Sequence, residues 1–205
     1  MDKQKYIEDI AEIKDIMERS ARFISLSGLS GVIAGIIALV AVYLAYDLVY
    51  AGQDYLGYRS AQLNSDTIFQ LLVIAIGAIV LSIGIAGFLT NRKAVRLGQS
   101  IYDSNAKRLV VNMLIPLVTG GILCLVLLWR GYLVLLAPLT LIFYGLALVN
   151  ASKYTVISMR NLGLIEIVLG LIATIYAGYG LLFWAVGFGL VHIVYGIIMY
   201  INDRK

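Results

Sequence analysis

The sequence predicts an all-α integral membrane protein in which an amphipathic N-terminal helix precedes six transmembrane helices. Composition is the first observation behind this prediction: 61% of the 205 residues are hydrophobic, 14% are charged, and the mean hydropathy is +0.91. An ordinary soluble domain has about 25% charged residues. The second observation is a set of six apolar runs of about 20 residues, the length that a helix needs to cross a bilayer. The third is that basic residues cluster in alternate connections between those runs.

The six apolar runs divide the chain into three parts and leave little sequence for a soluble domain. We predict a cytoplasmic or interfacial amphipathic helix over residues 1–23, a six-span membrane domain over 24–201 and a cytoplasmic tail over 202–205. The predicted spans cover residues 24–46, 67–90, 109–129, 131–149, 161–177 and 180–201.

The distribution of basic residues predicts which ends of the spans face the cytoplasm. Of the 16 Lys and Arg residues, 14 lie in the N-terminal segment, in the connections after spans two and four, and in the tail. Only Arg59 and Arg130 lie in the other connections. Because cytoplasmic loops carry an excess of basic residues, we expect both termini in the cytoplasm and residues 47–66 outside. The expected location is an inner or plasma membrane of bacterial type.

Similar short sequences at the ends of the second, fourth and sixth spans predict three related hairpins. They read GFLTNRK at 87–93, YGLALVNASK at 144–153 and YGIIMYINDRK at 195–205, and each contains Gly, an apolar stretch, Asn and a base. Internal repeats of this kind build many membrane folds. The alternative is that Asn91, Asn150 and Asn202 simply end helices at the membrane interface.

One carboxylate, Glu166, lies inside the fifth apolar run, and the spacing predicts a partner for it. A turn centred on Tyr179 places residue 166 opposite His192, the only histidine in the chain. We expect the two residues at the same depth, in the cytoplasmic half of the bilayer. Tyr195, one turn from His192, and Asn161, near the end of span five, are candidates for the same buried polar site.

Small residues at helical spacing predict the faces on which the spans pack closely. Glycines flank both Glu166 and His192 at distances of three and four residues. They are Gly163 and Gly170 in span five, and Gly189 and Gly196 in span six. Because small residues let membrane helices approach, we expect the polar pair on a glycine-rich interface between these two spans. A similar ridge in span one, expected to pack within the chain, consists of Ser27, Gly31 and Gly35.

The sequence leaves two roles open for the Glu166–His192 pair. An unpaired carboxylate in lipid is costly, so Glu166 must be protonated or partnered. Such a pair can carry a proton near neutral pH. Alternatively, it is an interhelical hydrogen bond that fixes the register of one hairpin. Ionisable residues inside a membrane often indicate function, whereas the presence of a single carboxylate favours the structural role.

Pro116 lies inside the third span. Because proline has no N–H, it leaves the carbonyl of Asn112 without its helical donor. A kink there either lines a cavity or is accommodated by neighbouring helices, which is the commoner outcome.

The N-terminal segment has the pattern of an amphipathic helix. Tyr6, Ile10, Ile13 and Met17 recur at intervals of four, three and four residues, and residues 2–23 contain no Gly or Pro. The polar face mixes acids and bases, whereas helices that bind anionic lipid usually have a cleaner basic face. We therefore expect this helix to pack on protein: on the chain's own inner loops, on a second copy in a homo-oligomer, or on a partner protein.

The sequence contains few groups for catalysis. One His and one Cys on different spans do not make a metal site, and the chain has no phosphate-binding loop and no Ser-His-Asp set. We therefore expect no catalytic residue, no cofactor and no nucleic-acid partner, and an enzyme is the least favoured class. The amphipathic helix favours a regulatory or interaction protein of the lipid bilayer. The alternative is a small proton-coupled transporter or channel that uses Glu166 and His192.

We predict that a cysteine introduced at position 55, in a chain whose Cys124 is replaced by Ser, reacts with a membrane-impermeant thiol reagent added outside the cell. The reason is the excess of bases in alternate connections, which places residues 47–66 outside. A cysteine at position 100 is the control and should react only after permeabilisation. Labelling of position 55 from the cytoplasmic side alone would contradict this topology.

Overall fold

Six long helices make up almost all of the described chain. In this computed structural model the described residues are 9–10, 27–50, 64–96, 104–155, 157–176 and 178–202, and they contain no strand. The helices are α1 (Gly28–Tyr50), α2 (Ser65–Arg96), α3 (Ser104–Trp129), α4 (Leu136–Ala151), α5 (Ile157–Ile175) and α6 (Gly180–Asn202). Helix α4 is extended by 3₁₀ turns at Leu133–Leu135 and Ser152–Tyr154.

Each of the six helices is long and apolar enough to cross a membrane, which confirms the predicted all-helical class and the number of candidate spans. The predicted boundaries differ most at α2, which continues to Arg96 instead of ending near residue 90. Polar residues continue this helix because backbone hydrogen bonding does not stop where the apolar run stops. Predictions for residues 1–8, 11–26, 51–63 and 203–205 lie outside the described residues.

The first and last helices, α1 and α6, cross with their backbones in close contact. A Cβ added at Gly31 would lie 3.2 Å from the Gly196 Cα, and one added at Gly35 would lie 2.7 Å from the Gly189 carbonyl oxygen. The order of these contacts shows that the helices run antiparallel. Any larger side chain here would push the helices apart. The ridge of span one therefore packs inside the chain, with Ser27 immediately before α1.

Helices α4 and α5 form a second antiparallel pair held by glycine. A Cβ added at Gly145 would lie 2.5 Å from the Gly163 carbonyl oxygen, and one added at Gly163 would lie 2.6 Å from the Gly145 carbonyl oxygen. Further along α5, a Cβ at Gly170 would lie 2.9 Å from the Pro138 carbonyl oxygen. The two backbones are thus in direct contact over much of their length.

The glycines of α5 and α6 face different helices, which differs from the single glycine-rich interface expected between these two spans. Gly163 and Gly170 face α4, whereas Gly189 and Gly196 face α1. The expectation considered only the turn between α5 and α6. A similarly short connection joins α4 to α5. Helix α4 packs on the glycine face of α5, and α6 packs on a different face of α5.

Helices α2 and α3 lie at the two edges of the bundle. Helix α2 packs mainly on α1, and α3 packs mainly on α4. Many of their apolar side chains are exposed, among them Phe69, Ile83 and Val118. Such surfaces suit a lipid environment, because lipid tails are as apolar as these side chains.

Asn150 of α4 supplies the hydrogen-bond donor that Pro116 removes from α3. Its Nδ2 donates to the carbonyl oxygen of Asn112 at 2.8 Å. Of the two outcomes considered for Pro116, accommodation by a neighbouring helix is therefore the one observed. Asn91 and Asn202, which match Asn150 in the hairpin pattern, are exposed. The three asparagines differ in role, and the threefold hairpin repeat stays a prediction.

Glycine also permits two short turns, one between α3 and α4 and one between α5 and α6. Gly131, between α3 and α4, has φ of 82°, and Gly178, between α5 and α6, has φ of 96°. Residues with a side chain rarely adopt this backbone conformation. These turns fix α3 beside α4 and limit how far α6 can lie from α5.

We predict that Asn150→Ala lowers the free energy of unfolding by about 1 kcal/mol, the usual scale of an interhelical hydrogen bond in a membrane protein. The reason is that the Asn112 carbonyl loses its donor. Unfolding in mixed micelles of SDS measures the effect, and Asn91→Ala, at an exposed asparagine, is the control.

A double-mutant cycle makes this prediction specific. In a Pro116→Ala background, residue 116 regains a backbone N–H that can donate to the Asn112 carbonyl. Asn150→Ala should then cost clearly less than in the wild-type background. An equal cost in both backgrounds would show that Asn150 does not replace the missing helical donor.

Candidate functional site

Three helices bring polar side chains together near their midpoints. Glu166 lies nine residues from each end of α5 and is 0% exposed. His192 of α6 is 7% exposed, and Tyr144 of α4 is half-buried. We call these three residues the central polar cluster. The sequence predicts Glu166 nearer one end of span five. It lies at the middle of α5 because this helix begins at Ile157 instead of residue 161.

His192 is the centre of the cluster and uses both ring nitrogens. Its Nδ1 lies 2.9 Å from the carbonyl oxygen of Gly187 and 3.3 Å from Oε1 of Glu166. Its Nε2 lies 2.8 Å from the hydroxyl oxygen of Tyr144. The imidazole therefore connects α4, α5 and its own helix.

The Glu166 carboxyl group is buried without a hydrogen bond. Within the described part of the chain, neither Oε1 nor Oε2 has a hydrogen-bond partner. The 3.3 Å separation from His192 Nδ1 exceeds the roughly 2.7–2.9 Å of a charge-assisted hydrogen bond. A charged carboxylate in this position would cost several kcal/mol of desolvation, in order of magnitude, with only one close cationic partner available to offset it.

A π-helical segment of α6, Ala185–Val191, lies directly against Glu166. A Cβ added at Gly187 would lie 2.5 Å from Glu166 Oε2 and 2.7 Å from Leu141 Cδ2. Glycine at this position thus makes the space that the carboxyl group occupies. π-Helical turns inside α-helices are frequently found at functional sites, and they change which carbonyls are free to bond other groups. Here the Gly187 carbonyl faces the His192 ring.

Aromatic rings on α6 extend the cluster towards the α5–α6 turn. The Phe188 ring centroid lies 5.2 Å from that of Tyr144 and 6.0 Å from those of His192 and Trp184. The indole N–H of Trp184 donates to Thr140 Oγ1 at 2.9 Å, which ties this part of α6 to α4. One face of α6 is thus fixed to α4 both at Trp184 and at His192.

The structure brings two of the four predicted site residues together and leaves two apart. Glu166 and His192 are neighbours. Tyr195 is half-buried and Asn161 is exposed, and neither has a hydrogen bond to the pair within the described residues. The π-helical segment and the α4–α5 contact place Tyr144, and not Tyr195, against the imidazole.

Sequence reasoning missed Tyr144, although a signal for it existed. A turn centred on Thr155 places Glu166 opposite Tyr144, since each lies 11 residues from residue 155. This is the same arithmetic that pairs Glu166 with His192, applied to the connection between spans four and five. The Gly187 carbonyl had no such signal, because nothing in the sequence indicated a π-helical segment.

The cluster combines one carboxyl, one imidazole and one phenol group, a set suited to binding and exchanging protons. Among the residues that the structure describes, no group of three or more His, Cys, Asp or Glu side chains is placed to hold a metal ion. Comparison of the chain with protein-family models, curated proteins and solved structures gives no match.

We predict that Gly187→Ala destabilises the protein by about 1–3 kcal/mol, the usual cost of overpacking a buried site. The added methyl group would collide with Glu166 Oε2 and Leu141 Cδ2. The control is Gly121→Ala in α3, where a Cβ would meet nothing within 4 Å. Unfolding in SDS micelles should show a lower free energy of unfolding for Gly187→Ala than for Gly121→Ala. Equal stability would show that Gly187 does not pack against the carboxyl group.

Proposed function

We propose that this protein is a polytopic integral membrane protein whose activity is coupled to proton binding at Glu166 and His192, as in a small proton-coupled transporter or channel. The observation that carries the proposal is the state of the Glu166 carboxyl group. It is 0% exposed, and in the described chain no donor bonds either oxygen. The titratable group next to it there is His192 of α6, whose other ring nitrogen contacts Tyr144 of α4.

A purely structural role fits this geometry poorly. A hydrogen bond that only joins helices should be short and complete, as is the 2.8 Å bond from Asn150 to the Asn112 carbonyl. In the described chain, Glu166 instead has no hydrogen bond at either oxygen, although Oε1 lies 3.3 Å from His192 Nδ1. Buried polar groups are almost always satisfied in folded proteins, and an exception calls for an explanation, of which a functional role is one. An ionisable residue within a membrane-spanning helix has the same implication.

Charge balance gives the pair its sensitivity to protons. With one proton the pair is neutral overall, either as a carboxylic acid beside neutral imidazole or as a carboxylate beside imidazolium. Removing that proton leaves a buried negative charge, and adding a second one leaves a buried positive charge. Both are costly at low dielectric. A change in proton count is therefore favourable only when water reaches the pair or the helices repack.

Helix α6 is the element best placed to respond to such a change. Both partners of Glu166 on this helix, the His192 ring and Gly187, lie in or next to the π-helical segment. Loss of the contact between His192 Nδ1 and the Gly187 carbonyl would free this segment to adopt another helical form. Coupling between proton binding and helix rearrangement is what a proton-driven transporter or gated channel requires.

The second candidate function is a regulatory or interaction protein that binds through its N-terminal helix. One observation favours it: Ile10, on the predicted apolar stripe, is helical and 65% exposed. An exposed apolar residue on an amphipathic helix is suited to contact with protein. The rest of the stripe lies outside the described residues, so a partner or a homo-oligomer stays a prediction.

We predict that Glu166→Gln abolishes a protonation step that wild-type protein in liposomes shows between pH 4 and pH 9, values chosen to bracket ordinary Glu and His titration. Glutamine keeps the shape of the side chain but cannot titrate. Difference infrared spectroscopy measures the C=O stretch of a carboxylic acid in apolar surroundings. The wild-type band should appear as pH falls, and the Glu166→Gln spectrum should lack it.

The matched control is Asp66→Asn, which removes a carboxylate at the exposed first turn of α2. This variant should keep the buried-acid band. A wild-type protein without any such band, or a band that survives Glu166→Gln, would contradict proton binding at Glu166.

A further inference from the structure

We propose that His192 and Tyr144 form the path along which protons reach and leave Glu166. The inference rests on the proposed function, because it names the groups through which that carboxyl group is protonated. Glu166 is 0% exposed, so its oxygens have no direct contact with solvent. Within the described chain, the titratable group next to it is His192, whose Nδ1 lies 3.3 Å from Oε1. A proton bound for Glu166 therefore passes through this ring.

The imidazole connects Glu166 to a second group that exchanges protons. Its Nδ1 faces Glu166, whereas its Nε2 lies 2.8 Å from the hydroxyl oxygen of Tyr144. Because an imidazole can take up a proton at one nitrogen and release a proton from the other, a charge crosses the ring without movement of the helix. Exposure rises along the series, from 0% at Glu166 to 7% at His192 and to the half-buried Tyr144. Tyr144 is thus the outer end of the path.

The Tyr144 hydroxyl suits this position because it can both donate and accept a hydrogen bond. When Nε2 has no hydrogen, the hydroxyl donates to it. When Nε2 carries a hydrogen, the hydroxyl oxygen accepts from it. The contact therefore holds the ring in place without selecting one protonation state, which is what a group that passes protons in both directions requires.

Protonation of Glu166 proceeds in two steps from a carboxylate beside a neutral imidazole with its hydrogen on Nδ1. First, the Tyr144 hydroxyl proton moves to the Nε2 lone pair, while the phenol oxygen takes a proton from a hydronium ion, which leaves as water. Second, the resulting imidazolium gives its Nδ1 proton to Glu166 Oε1, and the electrons of the N–H bond stay on Nδ1 as a lone pair. The products are a carboxylic acid and a neutral imidazole with its hydrogen on Nε2. Release follows the same steps in reverse.

The Gly187 carbonyl stabilises the imidazolium that forms between these steps. Its oxygen lies 2.9 Å from Nδ1 and can only accept a hydrogen bond. One N–H can be shared between two acceptors, so the Nδ1 hydrogen can contact this carbonyl and still face Glu166. The carbonyl also draws the proton back to Nδ1 when the supply from outside falls, which makes the transfer reversible.

The test compares how fast Glu166 is protonated with how far it is protonated. Light-triggered release of protons from a caged acid lowers the pH around protein in liposomes, and time-resolved infrared spectroscopy follows the C=O band of the buried carboxylic acid. Tyr144→Phe keeps the aromatic ring but can neither donate nor accept. It should slow the appearance of the band by a factor on the order of 10², the lower end of what a positioned proton-transfer group contributes. The final band at low pH should equal that of the wild type, because Glu166 is unchanged.

Tyr195→Phe is the matched control, because Tyr195 is a half-buried tyrosine of α6 and within the described chain has no hydrogen bond to His192. Its rate should equal that of the wild type. If Tyr144→Phe does not fold, wild-type protein with ¹³C-labelled tyrosine decides. Tyr144 turns from donor to acceptor as Glu166 is protonated, so a tyrosine band must change together with the C=O band. The absence of that change would overturn the inference.

The path and the proposed function fail in different ways. A Glu166 band that appears equally fast in Tyr144→Phe and in the wild type would refute the path and leave proton binding at Glu166 intact. A wild-type protein without any such band would refute both.

Discussion

The central constraint on this structure is a carboxyl group removed from water and placed 3.3 Å from a single imidazole nitrogen. Neither oxygen of Glu166 has a hydrogen bond in the described chain, so its surroundings must tolerate the group by shape and by charge. Gly187 provides the shape, since any side chain there would collide with Oε2. His192 provides the charge, because an imidazole can be neutral or cationic. The π-helical segment places both of them against the carboxyl group.

Backbone contacts through glycine make this arrangement possible. The α1–α6 and α4–α5 pairs approach so closely that no side chain fits between them, which gives each pair a fixed register. The central polar cluster lies where the two pairs meet, with Tyr144 and Glu166 contributed by one pair and His192 by the other. Among the described residues, hydrogen bonds and an ion pair join α6 to α4 and α5, at Trp184 and at His192. Movement of the α1–α6 pair against the α4–α5 pair is therefore the motion that would change the cluster without disrupting either pair.

Much of the architecture could be predicted from the sequence, and particular residues show which parts could not. Apolar runs of bilayer length identify the six helices, because hydropathy and length are local properties. Counting from the α5–α6 turn is enough to place Glu166 opposite His192. Counting also finds Tyr144, but only if the α4–α5 connection is treated in the same way. The glycine faces were assigned to the wrong neighbours, since which helix covers a face is a property of the whole bundle. The π-helical segment has no local signal, because it depends on the packing of Gly187 against two other helices.

The contact between α1 and α6 has a consequence for how the protein is made. Translation starts at the N-terminus, so α1 is synthesised long before α6, its principal partner. Its glycine groove, at Gly28, Gly31 and Gly35, remains uncovered until residues 180–202 have left the ribosome. Every shorter product of translation therefore lacks the helix that covers this groove. A quality-control factor that recognised unpaired apolar helices would therefore meet this groove only in chains whose α6 is not yet in place.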